Sequence, residues 1–192
     1  MTRSKKRLWI EILVLGILLV LVTVALRGAY RYYLRVSYPL QYSDWVETYA
    51  TQHEFPPSLI YAVIRTESEF RPDACSAAGA KGLMQLTDDT FTWAQNREHA
   101  AEHAPPEVLF DPETNIRYGV YVLSLLRELY PVTDTMLAAY NGGLGNVRKW
   151  LSDPAYSSDG ETLHTIPYPE TREYVKRVRD AQKMYQTLYD IA

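Results

Sequence analysis

The sequence predicts a mainly α protein, with one globular helical domain behind an N-terminal transmembrane helix. Three observations predict it. No long stretch alternates apolar and polar residues as a half-buried strand does. Apolar residues instead recur at helical spacing, as in Ile116, Val120, Leu123 and Leu126, or Tyr174, Val178, Ala181, Tyr185 and Leu188. A run of 19 residues, Leu8 to Leu26, carries a single charge, Glu11. The 192 residues suffice for one domain and an anchor, not for two full domains.

At about 1.5 Å per residue the apolar run spans roughly 28 Å, one hydrocarbon core. Four basic residues precede it among residues 1–7. By the positive-inside rule these place the N-terminus in the cytoplasm and the domain outside. Arg27, Arg31 and Arg35 on the far side weigh against that orientation. A cleaved signal peptide is the alternative. The run is longer than a usual signal core and no Ala-x-Ala site follows, which favours an uncleaved single-pass anchor at residues 8–26 in a bacterial cytoplasmic membrane. Residues 27–43 read as a juxtamembrane linker. Its tyrosines and arginines suit either an aromatic collar at the interface or a tether packed on the domain.

The domain, residues 44–192, reads as helices punctuated by Pro and Gly. Asp44 and Glu47 are spaced like a capping box at the start of a helix ending near Gln52. Pro56-Pro57-Ser58 opens a second helix, expected to run to about Phe70 before Pro72 stops it. Residues 71–86 are small and turn-rich, a loop with room for a minimal hairpin. Thr87 caps a third helix, with Asp88 and Asp89 in its first turn, where carboxylates suit the helix dipole. Residues 94–109 read as a helical excursion and a loop. Asp111-Pro112 starts a strong helix. Thr133 opens another, ended by Asn141-Gly142-Gly143. A short helix around Val147–Leu151, a loop over 152–167 and a last helix from Pro169 complete the chain.

Charge narrows the partners. The first 35 residues hold seven of the 20 Lys and Arg but one of the 23 Asp and Glu, which leaves 13 basic against 22 acidic in the remainder. Such an acidic domain repels nucleic acid. The lone Cys75 permits no internal disulfide.

Glu67 is the first residue that suggests chemistry. At about 100° per residue it falls roughly 20° from Ile60, inside the apolar stripe that Val63 and Ile64 share. Glu69 falls on the opposite face. Burial disfavours the charged carboxylate and raises its pKa, the condition for a general acid at neutral pH. A buried glutamate paired with an arginine is the structural alternative.

Four ordered blocks over residues 55–180 then resemble the lytic transglycosylases of the soluble, goose-type-lysozyme-like class. They are Glu67-Ser68 with Ser76, Gly79-Ala80 and Gly82-Leu83-Met84-Gln85-Leu86; Asp111-Pro112 with Asn115-Ile116 and Gly119; Ala139-Tyr140-Asn141-Gly142-Gly143 with Gly145; and Ile166-Pro167-Tyr168 with Glu170-Thr171-Arg172 and Tyr174-Val175. The resemblance implies a lysozyme-like fold and cleavage of peptidoglycan glycan strands without a cofactor. It implies that Glu67 protonates the glycosidic oxygen and then takes the proton of the muramic acid C6 hydroxyl, leaving a 1,6-anhydro end. It places Ser76, Gln85, Tyr140 and Glu170 in the substrate cleft, with Asn141 a further candidate whose other reading is helix capping. Glu170 also suits the first turn of its helix as a dipole charge. Two departures stand out: Thr87-Asp88 where the family commonly has Met-Pro, and Arg71 where it has Asn. The rival functions are a hydrolase on the same fold and a wall-binding module without turnover.

Other signals carry less. His99-Ala100-Ala101-Glu102-His103 fits an inverted zinc-protease pattern, but it lies in an Ala-rich polar segment with no further ligand cluster, so no metal is expected. His53 and His164 are isolated, no phosphate-binding glycine motif occurs, and Cys75 reads as a small loop residue.

Overall fold

The structure, a computed structural model, describes residues 3–192, with side chains described from Arg7 onward. The first two residues of the basic segment at 1–7 lie outside the described residues. The chain divides into two compact units, one ending at Pro39 and one spanning Leu40–Ala192.

The first unit is one helix, α1 (Arg3–Ser37). Its stretch Arg7–Ser37 is long and apolar enough to cross a membrane, with a mean hydropathy of 2.7 in its most apolar 18 residues. The helix runs past Leu26 through most of the expected linker at 27–43. Gly28 is the only weak helix former after the apolar run, and an isolated glycine costs a helix only about 1 kcal/mol. Pro39 is the first residue that can stop it. Tyr30, Tyr32 and Tyr33 are exposed on this segment.

The second unit is helical. Its elements are α2 (Ser43–Gln52), α3 (Pro57–Ser68), α4 (Asp88–Arg97), a 3₁₀ turn (Pro106–Phe110), α5 (Pro112–Leu129), α6 (Thr133–Gly142), α7 (Leu144–Leu151) and α8 (Pro169–Tyr189). Among the described residues there is no strand, only the isolated bridges Cys75–Lys81 and Lys81–Leu86, the minimal hairpin of the 71–86 loop. Helix α3 is the centre of the core. Leu59 to Ile64 are all buried, so apolar residues surround it rather than forming one stripe. It packs most extensively on α8, where Tyr61 stacks on Tyr185 with ring centroids 5.3 Å apart.

The helix starts follow the local chemistry with one exception. Thr87 accepts from the Thr90 amide and Asp111 accepts from the Thr114 amide, both at N-caps, and Pro112 takes the first turn of α5. The expected capping box at Asp44 and Glu47 does not form. Helix α2 begins one residue earlier, behind Tyr42 at φ 59°, and Asp44 lies inside the first turn. There its charge still meets the positive end of the dipole.

Helix α3 ends sooner than its sequence pattern suggests. Glu69 (φ 53°) and Phe70 (φ 64°) both adopt the left-handed conformation, so the helix stops at Ser68. Tertiary packing imposes this. Phe70 is buried, and Ser68 Oγ donates to the Leu83 carbonyl (2.8 Å), tying the end of α3 to the 71–86 loop. Glu69 is therefore an exposed cap residue, not the outer face of a helix.

Candidate active site

A cleft of about 500 Å³ lies where the end of α3, the 71–86 loop, α4, α5, α6 and the start of α8 meet. All six residues singled out in the sequence line it: Glu67, Ser76, Gln85, Tyr140, Asn141 and Glu170. They come from four separate parts of the chain, the end of α3, the 71–86 loop, α6 and the start of α8, and packing brings these together.

Glu67 sits on the last turn of α3, against the core. Burial pushes its carboxyl up to about 7, while the Tyr174 hydroxyl and the charge of Arg177 act the other way. The Tyr174 hydroxyl approaches Glu67 without the geometry of a formed hydrogen bond, and its buried oxygen has no other partner among the described residues. Arg177 is exposed and acts as a distant charge rather than an ion-pair partner. The structural alternative of a glutamate locked to arginine is not what the site contains. A carboxyl raised in this way can hold a proton near neutral pH and take one back after giving it up.

The 71–86 loop forms the wall beside Glu67, and its own bonds hold it. Ser76 receives the Ala80 amide on Oγ (3.0 Å). Gln85, at φ 50°, donates its side-chain amide to the Gly82 (2.9 Å) and Ala74 (3.2 Å) carbonyls. The Ser76 hydroxyl proton and the Gln85 carbonyl oxygen are the groups left to face the cleft. Tyr140 donates its hydroxyl to the Met84 carbonyl (2.7 Å). Burial first, and the Glu67 charge second, raise the Tyr140 pKa far above the ordinary phenol value, so it stays a neutral donor. Tyr140 thus fastens the loop as well as bordering the acid.

Asn115 anchors the loop from behind. Fully buried on α5, it accepts from the Met84 amide (2.7 Å) and donates to the Lys81 (2.9 Å) and Leu109 (2.8 Å) carbonyls. Gly82 (φ +74°) lies so close that a Cβ there would collide with the Asn115 amide and the Leu109 carbonyl. One turn further on, a Cβ at Gly119 would collide with Met84.

Asn141 lies within α6 and is exposed at the cleft. The helix ends two residues later, where Gly143 at φ +83° takes the cap position and Asn146 donates to the Gly142 carbonyl. Helix capping therefore does not account for Asn141. Glu170 occupies the first turn of α8 and also faces the cleft.

Sequence reasoning missed Asp89 and Trp93 of α4, which line the cleft, and gave Tyr174, an apolar-face residue within the fourth block, no role at the site. Nothing in periodicity separates a tyrosine that packs from one that also turns its hydroxyl to a carboxyl. The His99 to His103 segment is not helical: α4 stops at Arg97, His99 has φ 56°, and both rings are exposed. Among the described residues no group of three His, Cys, Asp or Glu side chains is arranged to hold a metal ion.

Comparison with known proteins identifies the family and the fold. Residues 44–162 match the transglycosylase SLT domain. The soluble lytic murein transglycosylase of Escherichia coli K12 is 36% identical over 148 residues, 76% of this chain and 23% of that protein. The membrane-bound lytic murein transglycosylase C of Cronobacter sakazakii is 33% identical over 76% of this chain and 46% of its own length. The crystal structure of the 70 kDa soluble lytic transglycosylase of E. coli superposes with a TM-score of 0.70 at 33% identity, covering 80% of this chain and 25% of that one. An inactive variant of lytic transglycosylase Slt from Pseudomonas aeruginosa, with one glutamate changed to glutamine, superposes equally well at 32% identity over 82% of this chain and 26% of its own. The chain spans about a quarter of the E. coli relative's length and just under half of the Cronobacter one's. A family match over most of the helical domain, joined to a shared lysozyme-like fold, places this chain in the family of lytic transglycosylases with an SLT domain.

Proposed function

We propose that the domain cleaves the β-1,4 bond between N-acetylmuramic acid and N-acetylglucosamine in peptidoglycan, with Glu67 as the acid and then the base. The observation that carries this is the half-buried Glu67 carboxyl, pushed up to about 7 by desolvation, on the wall of the cleft. Protonated Glu67 donates to the glycosidic oxygen as the C1–O bond breaks. The muramic acid C6 hydroxyl then bonds to C1, and the Glu67 carboxylate takes the proton that hydroxyl loses. No water is consumed and a 1,6-anhydro end forms. Intramolecular closure requires neither a protein nucleophile nor a base held for water, so one carboxylate suffices where a hydrolase needs two. The inactivity of the glutamate-to-glutamine Pseudomonas relative supports an essential glutamate.

Product analysis on purified murein tests the reading. Released fragments should be one water lighter than hydrolytic ones. Hydrated reducing ends would convert the assignment to a lysozyme-type hydrolase, and strand binding without any fragments would leave a wall-binding module.

The chemistry needs no metal, because the proton donor and the nucleophile are Glu67 and the substrate's own hydroxyl. Activity should therefore survive chelation and the double change His99→Ala with His103→Ala. Loss of activity that zinc restores would show the reading of the histidines to be mistaken.

The apolar stretch of α1 supports a second proposal: a single-pass anchor in the bacterial cytoplasmic membrane, with the catalytic domain outside. A membrane-bound relative of known name is in keeping with it. Protease added to intact protoplasts should degrade residues 44–192 and spare the N-terminal segment. A protected domain, or a mature chain beginning after residue 24, would refute an outward-facing anchor.

A further inference from the structure

We infer that Asp89 and Trp93 of α4 form a saccharide subsite in the cleft that favours glucosamine units whose 2-amino group is free. The inference rests on the peptidoglycan reading above and names which form of that polymer the cleft prefers. Trp93 lines the cleft half-buried, and its indole joins no aromatic pair among the described residues. A flat apolar face open to a sugar-binding cleft is a stacking platform for a pyranose ring. Asp89 lies four residues earlier, one helical turn away on the same face, so a ring resting on the indole has its substituents within reach of that carboxylate.

The two aspartates at the start of α4 differ in their surroundings. Asp88 is paired with Lys81, whereas Asp89 has no ion pair or hydrogen bond among the described residues and borders the cleft. The helix dipole accounts for an acidic residue in the first turn, but Thr87 and Asp88 already serve that end. It gives no reason for a second carboxylate beside a half-buried indole that lines the cleft. The rest of the lining adds to the field. Glu67 and Glu170 share the cleft with Asp89, and no lysine, arginine or histidine lines it. A wall of one sign attracts a ligand of the other. In a glycan strand the 2-position is where such a charge arises, since loss of the acetyl group turns a neutral amide into an ammonium. An ammonium placed over the indole gains a cation–π contribution as well.

The test separates binding from turnover. Peptide-free glycan strands, chemically N-deacetylated, are compared with the same strands after re-N-acetylation, by titration against the full chain carrying Glu67→Gln. The free-amine strands should bind roughly threefold to fivefold more tightly, the range expected of an exposed charge pair. The preference should shrink as salt is added. Adding Asp89→Asn should remove most of the preference, and adding Trp93→Ala should weaken both strands by roughly tenfold. Thermal unfolding of each variant separates a lost helix charge, which alters stability alone, from a lost contact, which alters the ratio between strands. Equal affinity for the two strands, or a preference undiminished in Asp89→Asn, would overturn the subsite. Anhydro products from wild-type protein report separately on the reaction itself, so the subsite can fail while the lyase stands.

Discussion

Changing Glu67 to glutamine is expected to lower turnover by at least about 10²-fold, the lower end for general acid–base catalysis. Glutamine keeps the size and the hydrogen bonding of the side chain but has no acidic proton. Glu69→Gln should be nearly silent, because Glu69 is an exposed cap residue outside the cleft. A general loss of negative charge would treat the two alike. The same substitution has a second, opposite effect. The folded carboxyl titrates near 7, above its ordinary 4.5, because burial disfavours its charge. Between those values the folded chain holds a proton that the unfolded chain has released, so stability falls as pH rises through the window. The full shift corresponds to about 3 kcal/mol. Glu67→Gln should therefore be more stable than wild type at pH 8 and no more stable below pH 4, as read by denaturant unfolding at both. Full activity in the variant would show that Glu67 is not the acid, and a stability difference independent of pH would show that its charge is not disfavoured by the fold.

Asn115→Ala should be the most damaging change outside the acid. The side chain is completely buried and makes three hydrogen bonds to the backbone at Lys81, Met84 and Leu109. Alanine leaves the buried Met84 amide and the Leu109 carbonyl without that partner, at about 1–3 kcal/mol each, while the Lys81 carbonyl keeps the Leu86 amide. Relaxation of the loop recovers part of this, so a net loss of about 3–5 kcal/mol is expected, a fall in Tm on the order of 10 °C. Turnover per folded molecule should fall too, because the loop that carries Ser76 and Gln85 loses its anchor. Asn146→Ala serves as a control, since its single bond to Gly142 lies outside the core and its loss should cost no more than about 1 kcal/mol. Thermal unfolding followed by circular dichroism checks both. Equal small losses would mean that the loop holds its shape without Asn115.

The sequence by itself determined the class of the protein and most of its helix boundaries, because these depend on local chemistry. Pro57, Pro112 and Pro169 each stand at the head of a helix, Thr87 and Asp111 cap as their side chains allow, and Gly143 ends α6. It also placed Glu67 on an apolar face, since periodicity reports which side of a helix meets the core. What periodicity cannot report is where one element stops because another has reached it. Helix α3 ends two residues early because Phe70 packs inward and Ser68 is bound to the loop, and α1 continues past the apolar run because nothing before Pro39 breaks it. The site likewise lies beyond local reading. Ser76, Gln85 and Tyr140 could be named as candidates from a family resemblance, but the Tyr140 bond to Met84 that fastens the loop exists only once α6 and the loop are packed together, whereas the Ser76 and Gln85 bonds to Ala80 and Gly82 are local to the loop. Tertiary structure alone joined Trp93 and Asp89 to the cleft and raised the Glu67 carboxyl to about 7, because desolvation is set by every neighbour that excludes water, and those neighbours come from all parts of the domain.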